Sequence, residues 1–327
     1  MTHGNFIISL DFELMWGVRD KRTKESYGAN VIGVQEVIPR LLSNFRKYDI
    51  KATFSTVGFL FFNNKDELLN NLPVLTPSYD VENLSPYNGY FDTVSNKQQG
   101  DLYHFAPSLI NQIKAYPEQE IGTHTFSHYY CLEKGQTTEQ FECDLEQAIS
   151  TGRKNDIVLS SLVFPRNQFN DEYLKVCAEN GIICYRGNER SWLYKAKNKS
   201  SENIVRRGFR LMDAYLNFSG HNCYSDDYMK SILPINIPAS RFLRPYSTKA
   251  RFLERLKLQR ITSGMTYAAK KNLTYHLWWH PHNFGINQNE NFTFLENILT
   301  HYRALHENFF FQSLTMKDLA ERLMNEK

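Results

Sequence analysis

The chain has 327 residues, 42% of them hydrophobic, and a formal net charge of +3 at pH 7. That length and apolar content suffice for one large α/β domain or two small ones, while the charge is too small to argue for a nucleic-acid partner. No apolar run approaches the roughly eighteen residues needed to cross a bilayer.

The amino-terminal Met1-Thr2-His3-Gly4-Asn5 has no charged leader and runs straight into a strand-like segment, so no signal peptide is expected. The five cysteines, Cys131, Cys143, Cys177, Cys184 and Cys223, are scattered and include no Cys-x-x-Cys pair. Reduced, mostly buried thiols in a cytoplasmic protein are the expectation.

In chain order, Phe6 to Asp11 reads as a buried strand, Val34 to Tyr48 as an amphipathic helix and Lys51 to Gly58 as a second strand. Residues 63–101 break this pattern with Pro, Asn, Ser and Tyr. A connection that long is expected to be a functional insertion over one face. Leu109 to Ala115 is helical and leads to a strand at Ile121. Thr138 to Gly152 is a helix, Ser160 to Phe164 a strand, Asp171 to Asn180 a helix and Gly181 to Tyr185 a strand. A helix from Arg251 to Lys271, a strand from Leu273 to Trp279, a helix from Phe294 to His306, a strand at Phe309 to Leu314 and a last helix complete the series. Repeated strand–helix units imply parallel strands with outer helices, and enough units are present to close a barrel. No linker, internal repeat or low-complexity segment divides residues 1–327, so a single domain is expected.

Three segments carry candidate chemistry at strand ends, where such barrels place their working residues. The first strand ends in Asp11 and Glu13, two carboxylates on one side that are costly to bury without a neutralising cation. His124 and His128 stand four residues apart, which on a helical turn puts both imidazoles on one face, as half of a metal site requires. Further on come Arg166, His280 and His282.

These segments, in this order, resemble the polysaccharide deacetylase family, also called carbohydrate esterase family four. The resemblance rests on Ser9-Leu10-Asp11-Phe12-Glu13, the strand Lys51-Ala52-Thr53-Phe54 and His124-Thr125-Phe126-Ser127-His128. It continues with Phe164-Pro165-Arg166-Asn167 and Leu277-Trp278-Trp279-His280-Pro281-His282. It implies a distorted, incomplete (β/α) barrel and metal-dependent removal of an acyl group from a sugar. It also implies that Glu13, His124 and His128 hold the metal, with zinc the default and cobalt or nickel able to use the same ligands. Asp11 would be the general base, Arg166 its charged partner, and His280 the general acid, with His282 as the competing choice. A backbone N–H near Asn167 would assist at the oxyanion. Two features depart from the family pattern. The acids are Asp-x-Glu rather than adjacent, and Gly187-Asn188-Glu189-Arg190-Ser191-Trp192 lacks the expected Asp before its Trp, leaving Glu189 or Asp213 to partner the acid.

All four tryptophans lie near these motifs, and flat aromatic faces suit sugar rings. Trp16, Trp192 and Trp279 are therefore expected at the substrate, with His282 and Asn167, while His276 is expected in the core. Arg241 to Arg260 holds seven Lys or Arg and one Glu, a pattern that fits a solvated outer helix of the barrel and is also suited to peripheral contact with the inner face of an anionic membrane or to a pyrophosphate-linked substrate. The function expected is N-deacetylation of an amino sugar in a nucleotide- or lipid-linked precursor of surface polysaccharide, lipopolysaccharide included. The alternatives are a hydrolase of non-sugar cyclic amides and a non-catalytic sugar-binding protein on the same barrel.

Overall fold

The computed structural model describes residues 3–96, 101–194, 204–230 and 232–326. The strands are β1 (Asn5–Phe12), β2 (Thr53–Thr56), β3 (Glu120–Thr123), β4 (Ser161–Leu162), β5 (Cys184–Tyr185), β6 (Ile235–Asn236), β7 (Arg241–Phe242), β8 (Thr274–Trp279) and β9 (Gln312–Leu314). The helices are α1 (Lys24–Ile32), α2 (Val34–Lys47), α3 (Lys65–Leu69), α4 (Pro107–Lys114), α5 (Thr138–Lys154) and α6 (Asp171–Glu179), followed by α7 (Ile204–Asp213), α8 (Asp226–Met229), α9 (Glu254–Lys271), α10 (Gln288–Phe309) and α11 (Met316–Asn325).

The strands form one sheet in the order β6-β5-β4-β3-β2-β1-β8-β7, with β9 also paired to β1, and every ladder is parallel. This curled sheet is the expected incomplete barrel. β1 lies at its middle. Asn5 to Leu10 pair with β8 on one edge, and the other edge is shared, with Asn5 to Ile7 pairing β9 and Ser9 to Phe12 pairing β2.

Alternation along β1 decides what each face carries. Phe6, Ile8, Leu10 and Phe12 enter the main apolar core, where Val37, Ile38, Leu41 and Phe45 of α2 meet them. Those helix positions recur at the three- and four-residue spacing of a buried stripe. The opposite register carries Ser9 and Asp11, also fully or almost fully buried. Their polar atoms are satisfied across the concave side of the sheet: Ser9 Oγ lies 3.0 Å from Arg186 Nη1 and 2.8 Å from His276 Nε2. His276, bonded also to the Ile237 carbonyl at 3.2 Å, is a satisfied core histidine as expected.

Residues 63–96 and 101 of the long insertion are described; 97–100 lie outside the described residues. None of its described residues lines the cavity described below. Leu84, Phe91 and Val94 are buried, and the Tyr79 hydroxyl accepts the Tyr130 N–H at 2.8 Å.

Candidate active site

The carboxyl ends of β1, β3, β4, β7 and β8 converge on a cavity of about 380 Å³. Its lining includes Asp11, Glu13, His124, His128, Trp278 and His280. Glu13 follows β1, with its side chain beneath Gly17. A Cβ on Gly17 would fall 1.9 Å from the Glu13 carboxyl carbon, so a side chain there would displace the carboxylate from this position.

His124 follows β3, and its Nδ1 donates to the Val163 carbonyl at 2.7 Å. That bond fixes the tautomer and leaves the Nε2 lone pair facing Glu13 Oε2 at 3.3 Å. His128 presents its Nε2 to the same oxygen at 2.9 Å, while its Nδ1 meets the Tyr130 hydroxyl at 3.2 Å.

The two histidines do not share a helical turn. Thr125 and His128 both take left-handed backbone angles, with φ of 63° and 62°, so the chain doubles back to bring the rings within 5.0 Å. Such angles are costly for residues with a Cβ and persist only where the surroundings impose them. Here Asp144 of α5 imposes them by accepting the Phe126 and Ser127 N–H groups at 2.7 and 3.1 Å.

One ligand atom from each of Glu13, His124 and His128 lies within 4.8 Å of the others, and all three residues are buried. Two imidazoles and a carboxylate with an open side are a donor set for a catalytic divalent ion. The ionisation states agree with this. Burial pushes the Glu13 carboxyl up, but His280, His124 and His128 outweigh it and hold it well below its ordinary value. Burial likewise pushes the His128 imidazole down to about 4 against the pull of Glu13, so it is neutral and its lone pair is free to ligate.

Asp11 lies beside this triad, gripped by Arg186. The two guanidinium Nη atoms reach its carboxylate oxygens at 2.6 and 2.8 Å. Burial raises the Asp11 carboxyl, and Arg186 and His124 more than reverse that, so it stays ionised. Arg186 also reaches Asn167 Oδ1 at 3.0 Å and lies over the Trp278 ring at 4.1 Å.

Arg166, the partner expected for Asp11, faces elsewhere. It pairs with Asp20 at 2.6 Å and Glu133 at 3.1 Å and covers the Tyr130 ring at 3.9 Å. Its left-handed φ of 57° turns the side chain along the cavity wall, away from Asp11. The Asn167 N–H is not available to an oxyanion, because it donates to the Phe164 carbonyl at 2.8 Å. Asn167 does line the cavity through its side chain.

His280 Nε2 stands 3.7 Å from Asp11 Oδ2 and 3.6 Å from Glu13 Oε1, with the side chain 23% exposed towards the cavity. His282 stacks on it at 4.9 Å but is buried, with Nδ1 lacking a partner and Nε2 3.9 Å from Glu13. Neither acid expected beside His280 is its hydrogen-bond partner. Asp213 is tied to Arg241, Tyr194 and Ser219. Glu189 is buried where Arg241, Arg186 and Asp213 act on it, its carboxyl pushed up to about 7 mainly by burial. The contact at His280 Nδ1 is Asn283 Oδ1, at 3.3 Å.

The tryptophans sort by strand alternation. Trp278 shares the side of His276 and His280 and lines the cavity with Phe242. Trp279, expected at the substrate, points the other way into the core against Phe45 and Phe284. Trp16 is also core, enclosed by Phe59, Tyr90, Phe91 and His104 and donating to the His104 carbonyl at 2.7 Å. Trp192 is 68% exposed and outside the cavity lining. The basic face expected over 241–260 does not form as one surface, because Arg241, Lys257 and Arg260 are buried in ion pairs with Asp213 or Glu254. Among the described residues, no helix is long and apolar enough to cross a membrane.

Comparison with known proteins agrees with this geometry. Residues 27–184 match the profile of the family described as polysaccharide deacetylase. The fold is similar to that of a protein from Mycobacterium smegmatis assigned as a polysaccharide deacetylase, at 12% identity and a TM-score of 0.61, covering 99% of this chain and 92% of that one. A second assigned polysaccharide deacetylase, from Pseudomonas aeruginosa PAO1, matches at 9% identity and a TM-score of 0.55, over 98% and 90% of the two chains. The 4-alpha-glucanotransferase of Thermococcus litoralis shares the fold at 11% identity and a TM-score of 0.50, covering 99% of this chain and 40% of that one. No curated protein matches the sequence. Residues 27–184, just under half of the chain, thus match the polysaccharide deacetylase family, the fold agrees over the full length, and the chain carries a buried His-His-Glu group suited to a divalent metal.

Proposed function

We propose that residues 1–327 act as one catalytic domain, a metal-dependent carbohydrate N-deacetylase. It removes an N-acetyl group from an amino sugar in a nucleotide- or lipid-linked precursor of surface polysaccharide. The observation that carries the reading is an ionised, Arg-held Asp11 set against the convergent Glu13, His124 and His128 at the floor of an aromatic-walled cavity.

A divalent ion held by Glu13, His124 and His128, zinc by the donor set with cobalt or nickel as substitutes, would polarise the acyl carbonyl and acidify a water. Asp11 takes the proton from that water. Arg186 keeps Asp11 charged and fixes its orientation, leaving the proton to be collected where the carboxylate faces the cavity. His280, partly exposed to the same cavity, delivers a proton to the departing nitrogen, which is a poor leaving group as an amide anion. Trp278 and Phe242 offer flat faces to a sugar ring, and Asn167 a polar edge.

The test is acetate release from a nucleotide-linked N-acetylated amino sugar and from short N-acetylated oligosaccharides, before and after rigorous chelation. Activity should vanish with the metal and return with zinc, cobalt or nickel. Asp11→Asn should lower the rate by about 10²–10⁴-fold with metal content retained. Full activity after chelation, or an unchanged rate in Asp11→Asn, would refute the reading.

A further inference from the structure

Helix α7 is turned inside out. Arg206 and Asp213, seven residues apart, are 6% and 0% exposed. Arg206 donates to the Leu193 carbonyl at 2.8 Å, and Asp213 is clasped by Arg241 at 2.9 Å. The adjoining strip presents Val205, Phe209 and Met212 to solvent, at the four- and three-residue steps of one helical face, and Leu216 and Phe218 are exposed just beyond the helix. A surface helix in water ordinarily shows the reverse distribution. An exposed apolar face of this kind marks a surface that is covered in use.

The neighbouring segments extend the same character. The Trp192–Tyr194 turn is joined to α7 by the Arg206 bond and by Tyr194 to Asp213 at 2.7 Å. Strand β7 is joined to it through Arg241, and in the loop after β7 the Arg244 carbonyl accepts from Lys257 at 3.0 Å. These segments expose Trp192 and Phe252, at 68% and 75%, and the cations Arg207, Lys249, Arg251 and Arg255. Over 204–218 and 244–257 the sequence has only two acids, Asp213 and Glu254. The first is buried in ion pairs, and the second bonds Lys257 at 2.8 Å.

We infer that this face docks on an anionic lipid surface. Apolar side chains, a tryptophan at the rim and a surround of cations, with Asp213 and Glu254 both paired among the described residues, match the boundary between acyl chains and acidic headgroups. The face is tied to β7, whose Phe242 lines the cavity, through the Arg241–Asp213 pair. Docking there would bring a lipid-linked sugar to the catalytic group. The inference thus rests on, and narrows, the function proposed above.

The experiment is co-sedimentation of the full chain with vesicles of phosphatidylcholine alone, or with about one third phosphatidylglycerol, at low and high salt. Acetate release from a soluble substrate is measured in parallel, so loss of docking and loss of catalysis are read separately. Binding should be at least about tenfold stronger to the anionic vesicles and should fall with salt. The double variants Phe209→Ser with Phe252→Ser, and Arg207→Glu with Arg251→Glu, should each lose about tenfold in binding, with thermal melting and soluble-substrate rate unchanged. Equal or absent binding to the two vesicle types, or wild-type binding by the folded variants, would overturn the inference. So would a concentration-dependent dimer that Phe209→Ser abolishes, because the face would then be occupied by a second copy.

Discussion

Arg186 and Asp11 make a two-point ion pair although their strands, β5 and β1, are four places apart in the sheet order. In a flat sheet four strand spacings amount to about 19 Å, beyond the reach of an arginine side chain. The pair exists because the sheet curls, so a single contact reports both the barrel-like closure and the state of Asp11.

Arg186→Met should therefore be expensive twice over. Leaving Asp11 buried without its cation should cost about 3–5 kcal/mol of stability and lower kcat by about 10²-fold or more. Arg166→Met should leave kcat within about tenfold, since its partners are Asp20 and Glu133. Thermal melting and steady-state kinetics on the two variants check this. Equal losses in both would contradict the assignment of Arg186 as the residue that holds Asp11.

Asn283 is placed to orient His280, its Oδ1 being the acceptor 3.3 Å from Nδ1. Asn283→Leu is expected to reduce kcat by about 10–100-fold with KM and metal content little changed, and Asn283→Asp, which keeps the acceptor, to retain most of the rate. A fall in KM-limited binding instead of kcat, or failure of the Asp variant to rescue, would count against an orienting role.

The adjacent tryptophans should separate cleanly. Trp279→Ala removes a fully buried ring and should cost about 3–5 kcal/mol of stability. Trp278→Ala should act mainly on KM, through loss of a cavity wall, and on the setting of Arg186. Denaturant titrations and substrate saturation curves give the two readouts.

His276 offers a clean test of pH dependence. Burial, together with the nearby Arg186, pushes its imidazole down to about 3, against an ordinary value of 6.5. Between those values the unfolded chain binds a proton that the native chain refuses. The contribution is fully present above pH 6.5 and is lost as pH falls towards 3, at about 1.4 kcal/mol per pH unit in mid-window. His276→Gln should flatten the stability profile by about one proton over this range, measured as the difference from wild type. An unchanged slope would mean that His276 is not held neutral.

The elements with strong periodicity were legible in sequence because their pattern is local. β1, α2, α5 and β8 fall within a few residues of the expected spans. So were Asp11, Glu13, His124, His128 and His280, which sit in short motifs. Arg186 was missed because its partner is fixed by curvature, a property no short motif records. Its signal was still there, an arginine directly after the strand ending at Tyr185. Trp279 was misplaced for a reason the sequence could have corrected: with His280 in the cavity, period two puts Trp278 beside it and Trp279 opposite. Trp16 and the inverted face of α7 depend on the insertion and on Asp213, Arg241 and Arg260 meeting in space, which local pattern does not reveal.

The placement of β1 between β2, β8 and β9 has a consequence for how the protein is made. Two of its three partners are separated from it by more than 260 residues of chain. Asp11 and Glu13 leave the ribosome early, but the strand that aims them is completed only when Thr274–Trp279 and Gln312–Leu314 have been synthesised. Contacts at such separation are slow to form because much chain must be ordered before they are rewarded. Metal capture should therefore come at the end of folding, making an ion-loaded chain a marker of completed assembly rather than a seed for it.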